Sequence, residues 1–241
     1  MSMGPIRCML GFSIDRSNDF SEQLEHRSAA LEASFRDGFF KLQLGVGALH
    51  DAIDSALVGD DRRTAERLAA GIADLGGCND ELTALGVALV RVRADLFERG
   101  AVDATDPLVT REPFFAAVDY EAVYADMVAH GAALPRHVFW EEVASRVREG
   151  GSHGGLRLLD RQVRELQSDL RSFIAGVEST ARLRGRVFAK ALHDSSLSVA
   201  TVMLSYTRLL TTFTYFSVLC EHASLLQESA LSETELAAAA S

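Results

Sequence analysis

Histidines four residues from a carboxylate are the first residues whose types and spacing suit metal binding. Among them are Glu22 with His26, His50 with Asp54, and His137 with Glu141. On a helix, residues four apart share a face. A carboxylate-bridged di-iron bundle also needs Glu-x-x-His pairs from facing helices. No Glu-x-x-His occurs at any of the seven histidines, and a hemerythrin-like site would need more of them in regular spacing. Solvated or helix-capping histidines explain these pairs, and no metal or cofactor is expected.

Other chemistry is also weakly signalled. The glycine-rich run Gly150-Gly151-Ser152-His153-Gly154-Gly155 lacks a following Lys-Ser/Thr and a preceding strand. It reads as a flexible joint and not as a phosphate cradle. Glu141 and Glu142 are neighbours, so on a helix they splay by about 100°, poor geometry for shared acid–base work. Cys8, Cys78 and Cys220 form no Cys-x-x-Cys pair. Three scattered thiols fit a reducing compartment, and a cytoplasmic protein is the expectation. Met1 to Leu10 carries one Arg and no long apolar run, which does not spell a secretory signal. The residues nominate no enzyme.

The elements that would position any such group are long helices. Pro5, Pro107, Pro113 and Pro135 leave the tracts 6–106 and 136–241 free of proline, and interior proline breaks a helix. Leu31, Phe35, Phe39, Leu42, Val46, Leu49, Ile53 and Leu57 recur at three and four, predicting a helix from near Ser21 to Gly59. A second seam, Leu68 to Leu96 through Cys78, has a mean spacing of about 3.5 residues, with a kink expected at Gly76-Gly77. A third, Leu156 to Val177, has the same spacing and is expected to reach His193. Short helices are expected at 118–132 and 137–148. The resulting fold class is all-α: a long antiparallel helical bundle of two hairpins, 20–99 and 155–230, joined by a short-helix insert within 100–154. Residues 1–19 lead in and 231–241 form a frayed tail.

Residues Ser195 to Cys220 are the most distinctive part of the chain. These 26 residues hold 15 apolar side chains, 10 Ser or Thr, and a single charge, Arg208. A helix without a charged face needs covering by protein or lipid. Bundle core is the first expectation and a partner surface the second. Membrane insertion ranks last, because Arg208 near the midpoint of a span costs about 2.5–3.5 kcal/mol. Phe213, Tyr215 and Phe216 cluster there beside Arg208, as anchors for a partner would. Phe139 and Trp140 belong to a second aromatic group with Phe114, Phe115, Tyr120 and Tyr124.

Charge narrows the partners. The net charge of −10 argues against nucleic acid. Residues 136–190, with 11 basic against 7 acidic, read as a salt-bridged helix face. The expected function is a non-catalytic scaffold or adaptor that binds itself or another protein. A membrane-inserting bundle and a small-ligand or metal-binding bundle are the alternatives.

Overall fold

A computed structural model describes residues 18–100, 117–129, 136–213 and 215, with single helical positions at 222, 226 and 229. Among these, the chain is helical nearly throughout and has no strand, so the protein is all-α. The helices are α1 (Asn18–Leu57), α2 (Asp61–Gly100), α3 (Tyr120–Ala129), α4 (Ser145–Thr180), α5 (Gly185–Ser196) and α6 (199–213). A single turn, Arg136–Val138, and a π-helical turn, Phe139–Ala144, lead directly into α4.

The chain divides into two compact units that cut across the long helices. One comprises Glu32–Val87 with Gln162–Arg208; the other comprises Met1–Leu31, Ala88–Arg161 and Leu209–Ser241. In the Glu32–Val87 unit, the α1–α2 reversal is set by local chemistry. Gly59 takes φ +83°, which only glycine adopts without strain. Gly59 N–H then bonds the Ala56 carbonyl and Asp60 N–H the Ser55 carbonyl, closing α1. Asp60 caps α2 by accepting from Arg63 N–H at 2.9 Å.

The helices of this unit run alternately up and down. Residues of α1 and α2 meet in reverse order: Lys41 with Glu81, Gly45 with Leu75, Leu49 with Gly71, and Asp51 with Arg67. The same holds for α2 and α4, where Thr83 bonds Gln167 and Asn79 bonds Arg171. It holds again for α4 with the last two helices, through Asp169 with Ser205 and Gly176 with Ser195. Burial follows a three-and-four rhythm: Gly38, Leu42, Gly45, Leu49 and Ala52 on α1, and Leu68, Gly71, Leu75, Cys78 and Leu82 on α2. Val163, Leu166, Leu170, Phe173 and Val177 continue it on α4.

Glycine brings α1 and α2 unusually close. A Cβ on Gly45 would lie 2.9 Å from the Leu75 side chain and 3.1 Å from the Gly71 carbonyl. One on Gly71 would lie 2.8 Å from Leu49. Leu49 and Leu75 therefore sit against bare backbone.

Gly76-Gly77 lies within the continuous helix α2, as expected of a seam that stays in phase, and the Lys41 stem lies over Gly77 on its way to Glu81. Two expected boundaries differ. The joint expected at 150–155 lies inside α4, whose burial continues at Leu156 and Leu159. Packing outweighs the roughly 1 kcal/mol that each glycine costs a helix. The third helix ends at Thr180 instead of His193, where Arg184 donates to the Ala181 and Leu183 carbonyls and Gly185 takes φ +55°. Ser196 and Ser198 bond carbonyls three residues back, so α5 and α6 are separated by a tight turn at 197–198.

In the other unit, Asp119 caps α3 by accepting from Glu121 and Ala122 N–H, both at 3.1 Å. Arg136 pairs with Glu121. Tyr120, Val123, Ala144, Leu156 and Leu159 are buried, and the Trp140 ring packs on Tyr120 at 5.6 Å.

Candidate functional site

The charge-poor segment shows its sidedness within α6. Val202, Tyr206 and Leu209 turn inward and are buried. Tyr206 packs against the rings of Phe35 and Phe39 on α1, each at 5.1 Å, and its hydroxyl donates to the Phe35 carbonyl at 2.6 Å. A Cβ on Gly38 would stand 2.8 Å from that hydroxyl, so glycine there makes room for the tyrosine. Burial raises the phenol's pKa, with smaller contributions from Cys78 and Glu81.

Next to this node, Lys41 donates to Glu81 at 2.7 Å, and that bond raises the ammonium pKa. Burial pushes the Cys78 thiol up to about 12, against a smaller lowering by Lys41. A thiol this far from its thiolate is a poor nucleophile and metal ligand. The cluster supports packing and offers little catalysis.

The outward side of the same helices differs in kind. Leu197 at 65% and Leu204 at 70% exposure project from the α5–α6 strip, and Phe40 at 59% and Leu44 at 46% project from α1. Residues 195–207 carry no charge at all. The segment is thus covered on one side and bare on the other, not sheathed all round as core alone would require. Its bare side is aliphatic.

Among the described residues, none of those nominated from sequence is one of the exposed apolar side chains of this strip. Phe213 and Tyr215 are buried. Arg208 is half-buried and has partners within the chain. Phe216 lies outside the described residues. Phe139 is in the π-helical turn, its side chain outside the description, and Trp140 is half-buried against Tyr120. Phe40, Leu44, Leu197 and Leu204 were missed. Their signal was present as large apolar residues out of phase with the three-and-four seam.

A groove of about 540 Å³ opens between the start of α2 and the α4–α5 corner. Leu68, Ile72, Leu183 and Phe188 line it, with Asp61, Arg62 and Arg184 also present. Arg184 is committed to the carbonyls at the end of α4.

Gly150-Gly151-Ser152-His153-Gly154 spells Gly-x-Ser-x-Gly. A nucleophile elbow needs a strand-to-helix turn, whereas these residues lie within α4. Among the described residues no group of three or more His, Cys, Asp or Glu is placed to hold a metal ion. No described helix is long and apolar enough to cross a membrane. Comparison with known proteins returns no matching family model, no matching curated protein and no matching solved structure.

Proposed function

We propose that this chain is a non-catalytic helical scaffold that acts by associating with protein, either with itself or with another chain. The observation that carries the reading is the uncharged, aliphatic exposed side of residues 195–207, together with the exposed Phe40 and Leu44 on α1. Apolar surface grouped in this way is characteristic of interaction sites. The buried chemistry adds to the case: the one described cysteine is held as a neutral thiol, and Lys41 is engaged with Glu81.

The test combines light scattering with affinity capture from cognate lysate. Concentration-dependent mass, or a partner retained at stoichiometric level and lost on Leu204→Asp, supports scaffolding. A monomer at every concentration that retains no partner removes it.

The groove favours a second reading, a binding site for a small amphipathic molecule, since apolar walls with a few polar groups are what such sites need. Medium-chain fatty acids should raise the melting temperature of the native chain, and Ile72→Trp, which fills the groove, should abolish that shift. No shift with any chain length rejects it.

A further inference from the structure

We infer that the groove between the start of α2 and the α4–α5 corner takes a single-chain carboxylate, its acid head held by Arg62 and Arg184 and its tail laid along Leu68 and Ile72. The inference rests on the small-molecule reading of this groove and adds the charge of the ligand and the way round it lies.

Shape and polarity are sorted along the groove. Leu68 and Phe188 in its walls are buried, and Ile72 and Leu183 are half-buried. Between them the lining is kept shallow by alanine, at the exposed Ala65, Ala69 and Ala181. Longer side chains at these positions would occupy the space themselves. On α2 the polar lining residues come first, Asp61, Arg62 and Thr64, and the apolar ones follow as far as Ile72. Arg62 and Ile72 stand ~15 Å apart along the helix, room for one extended tail of medium length. The volume of about 540 Å³ falls within the roughly 300–1,000 Å³ of small-molecule sites.

Both arginines stand at the polar end. The helix α4 runs opposite to α2 and opposite to α5, so α2 and α5 run the same way and start at the same end. Arg62 belongs to the first turn of α2, and Arg184 is the N-cap residue of α5. Each is fixed through one nitrogen. Arg62 donates through Nε to Glu66 at 2.9 Å, and Arg184 donates through Nη1 to the Ala181 and Leu183 carbonyls at 2.9 and 2.7 Å. A guanidinium has five N–H donors. Both Nη atoms of Arg62, and the Nε and Nη2 of Arg184, therefore remain to grip a carboxylate in the paired geometry that guanidinium favours.

The surroundings carry the same sign. Residues 179–193 hold Arg182, Arg184, Arg186 and Lys190 and no Asp or Glu, in a chain whose net charge is −10. The start of α5 has no side-chain cap, so its first N–H groups add to the positive potential there. Asp61 is the acid in the lining. Two arginines against one aspartate suit a singly charged head, and a neutral or cationic head gains nothing from them.

Isothermal titration calorimetry of the full chain with decanoate, decanol and decyltrimethylammonium, each below its micelle concentration, tests this. Decanoate should bind at least about tenfold more tightly than decanol, and the cation should not bind. Arg62→Gln and Arg184→Gln should each bring decanoate towards decanol while leaving decanol unchanged. Because Arg184→Gln also loses two carbonyl bonds, Arg62→Gln on the exposed surface carries the test if the first variant fails to fold. Arg36→Gln, on exposed α1 away from the groove, should change nothing. Added salt should narrow the gap between acid and alcohol. Decanol binding as tightly as decanoate overturns the head assignment and leaves the groove reading standing. No binding by any of the three overturns both. A chain that ignores decanoate but floats with phosphatidylglycerol vesicles, and loses this in Arg62→Gln, overturns the inference in favour of a bilayer.

Discussion

The Tyr206 hydroxyl shows how one polar atom organises its neighbourhood. It bonds the Phe35 carbonyl and occupies the volume that a side chain at position 38 would need. Tyr206→Phe should cost about 1 kcal/mol from the lost bond. Gly38→Ala should cost about 1–3 kcal/mol by overpacking. Together they should cost less than their separate effects, because removing the hydroxyl removes most of the clash. Urea denaturation of the two single variants and the double variant measures that coupling. Gln162 is a second such residue: its amide is buried without a hydrogen-bond partner among the described residues. Gln162→Met should therefore raise stability by about 1–2 kcal/mol, read as a higher denaturation midpoint.

Cys78, Tyr206 and Lys41 also give the unit a common response to alkali. All three hold their protons more tightly folded than unfolded. A raised folded pKa contributes stability that is complete below the unfolded pKa and is lost as pH rises through the folded one. For Cys78 that window runs from its ordinary 9.0 to about 12. Stability measured by denaturant titration should fall steadily above pH 9. In Cys78→Ala the slope between 9 and 12 should be shallower, even though the truncation lowers overall stability.

At the scale of elements, glycine has opposite meanings at different helical positions. At Gly45 and Gly71 it permits the backbones of α1 and α2 to approach, and alanine at either should cost about 1–3 kcal/mol. At Gly76 nothing lies within 4 Å of the Cβ position, and alanine should gain about 0.5–1 kcal/mol through helix propensity. Thermal melts of the three variants decide the sign at each site. The same contrast bears on α4, which runs through a glycine-rich stretch directly into the buried Leu156 and Leu159. Propensity predicts a joint there; burial of a continuous apolar stripe forms a helix.

For the molecule as a whole, net charge and the uncharged face act in opposite directions. Copies carrying −10 repel at long range, and salt screens that repulsion. Association through a neutral apolar face should thus tighten as ionic strength rises from low values to about 0.15 M. Attachment held by charged pairs would weaken over the same range. Sedimentation at the two salt concentrations separates these cases.

The helical class, the phase of each long seam and the α1–α2 turn were all readable in the residues. Leu31 to Leu57, Leu68 to Leu96 and Leu156 to Val177 repeat at three and four, and Gly59-Asp60 carries the chemistry of a reversal. Such features depend on neighbours along the chain, which sequence records directly. The end of α4 at Thr180, the continuity of helix through Gly150 to Gly155, and the side of the charge-poor segment left bare were decided by tertiary structure. Each depends on which residues distant in sequence come to lie against a given face. Composition shows that residues 195–207 lack charge, but only the packing of Tyr206 between Phe35 and Phe39 turns Leu197 and Leu204 outward.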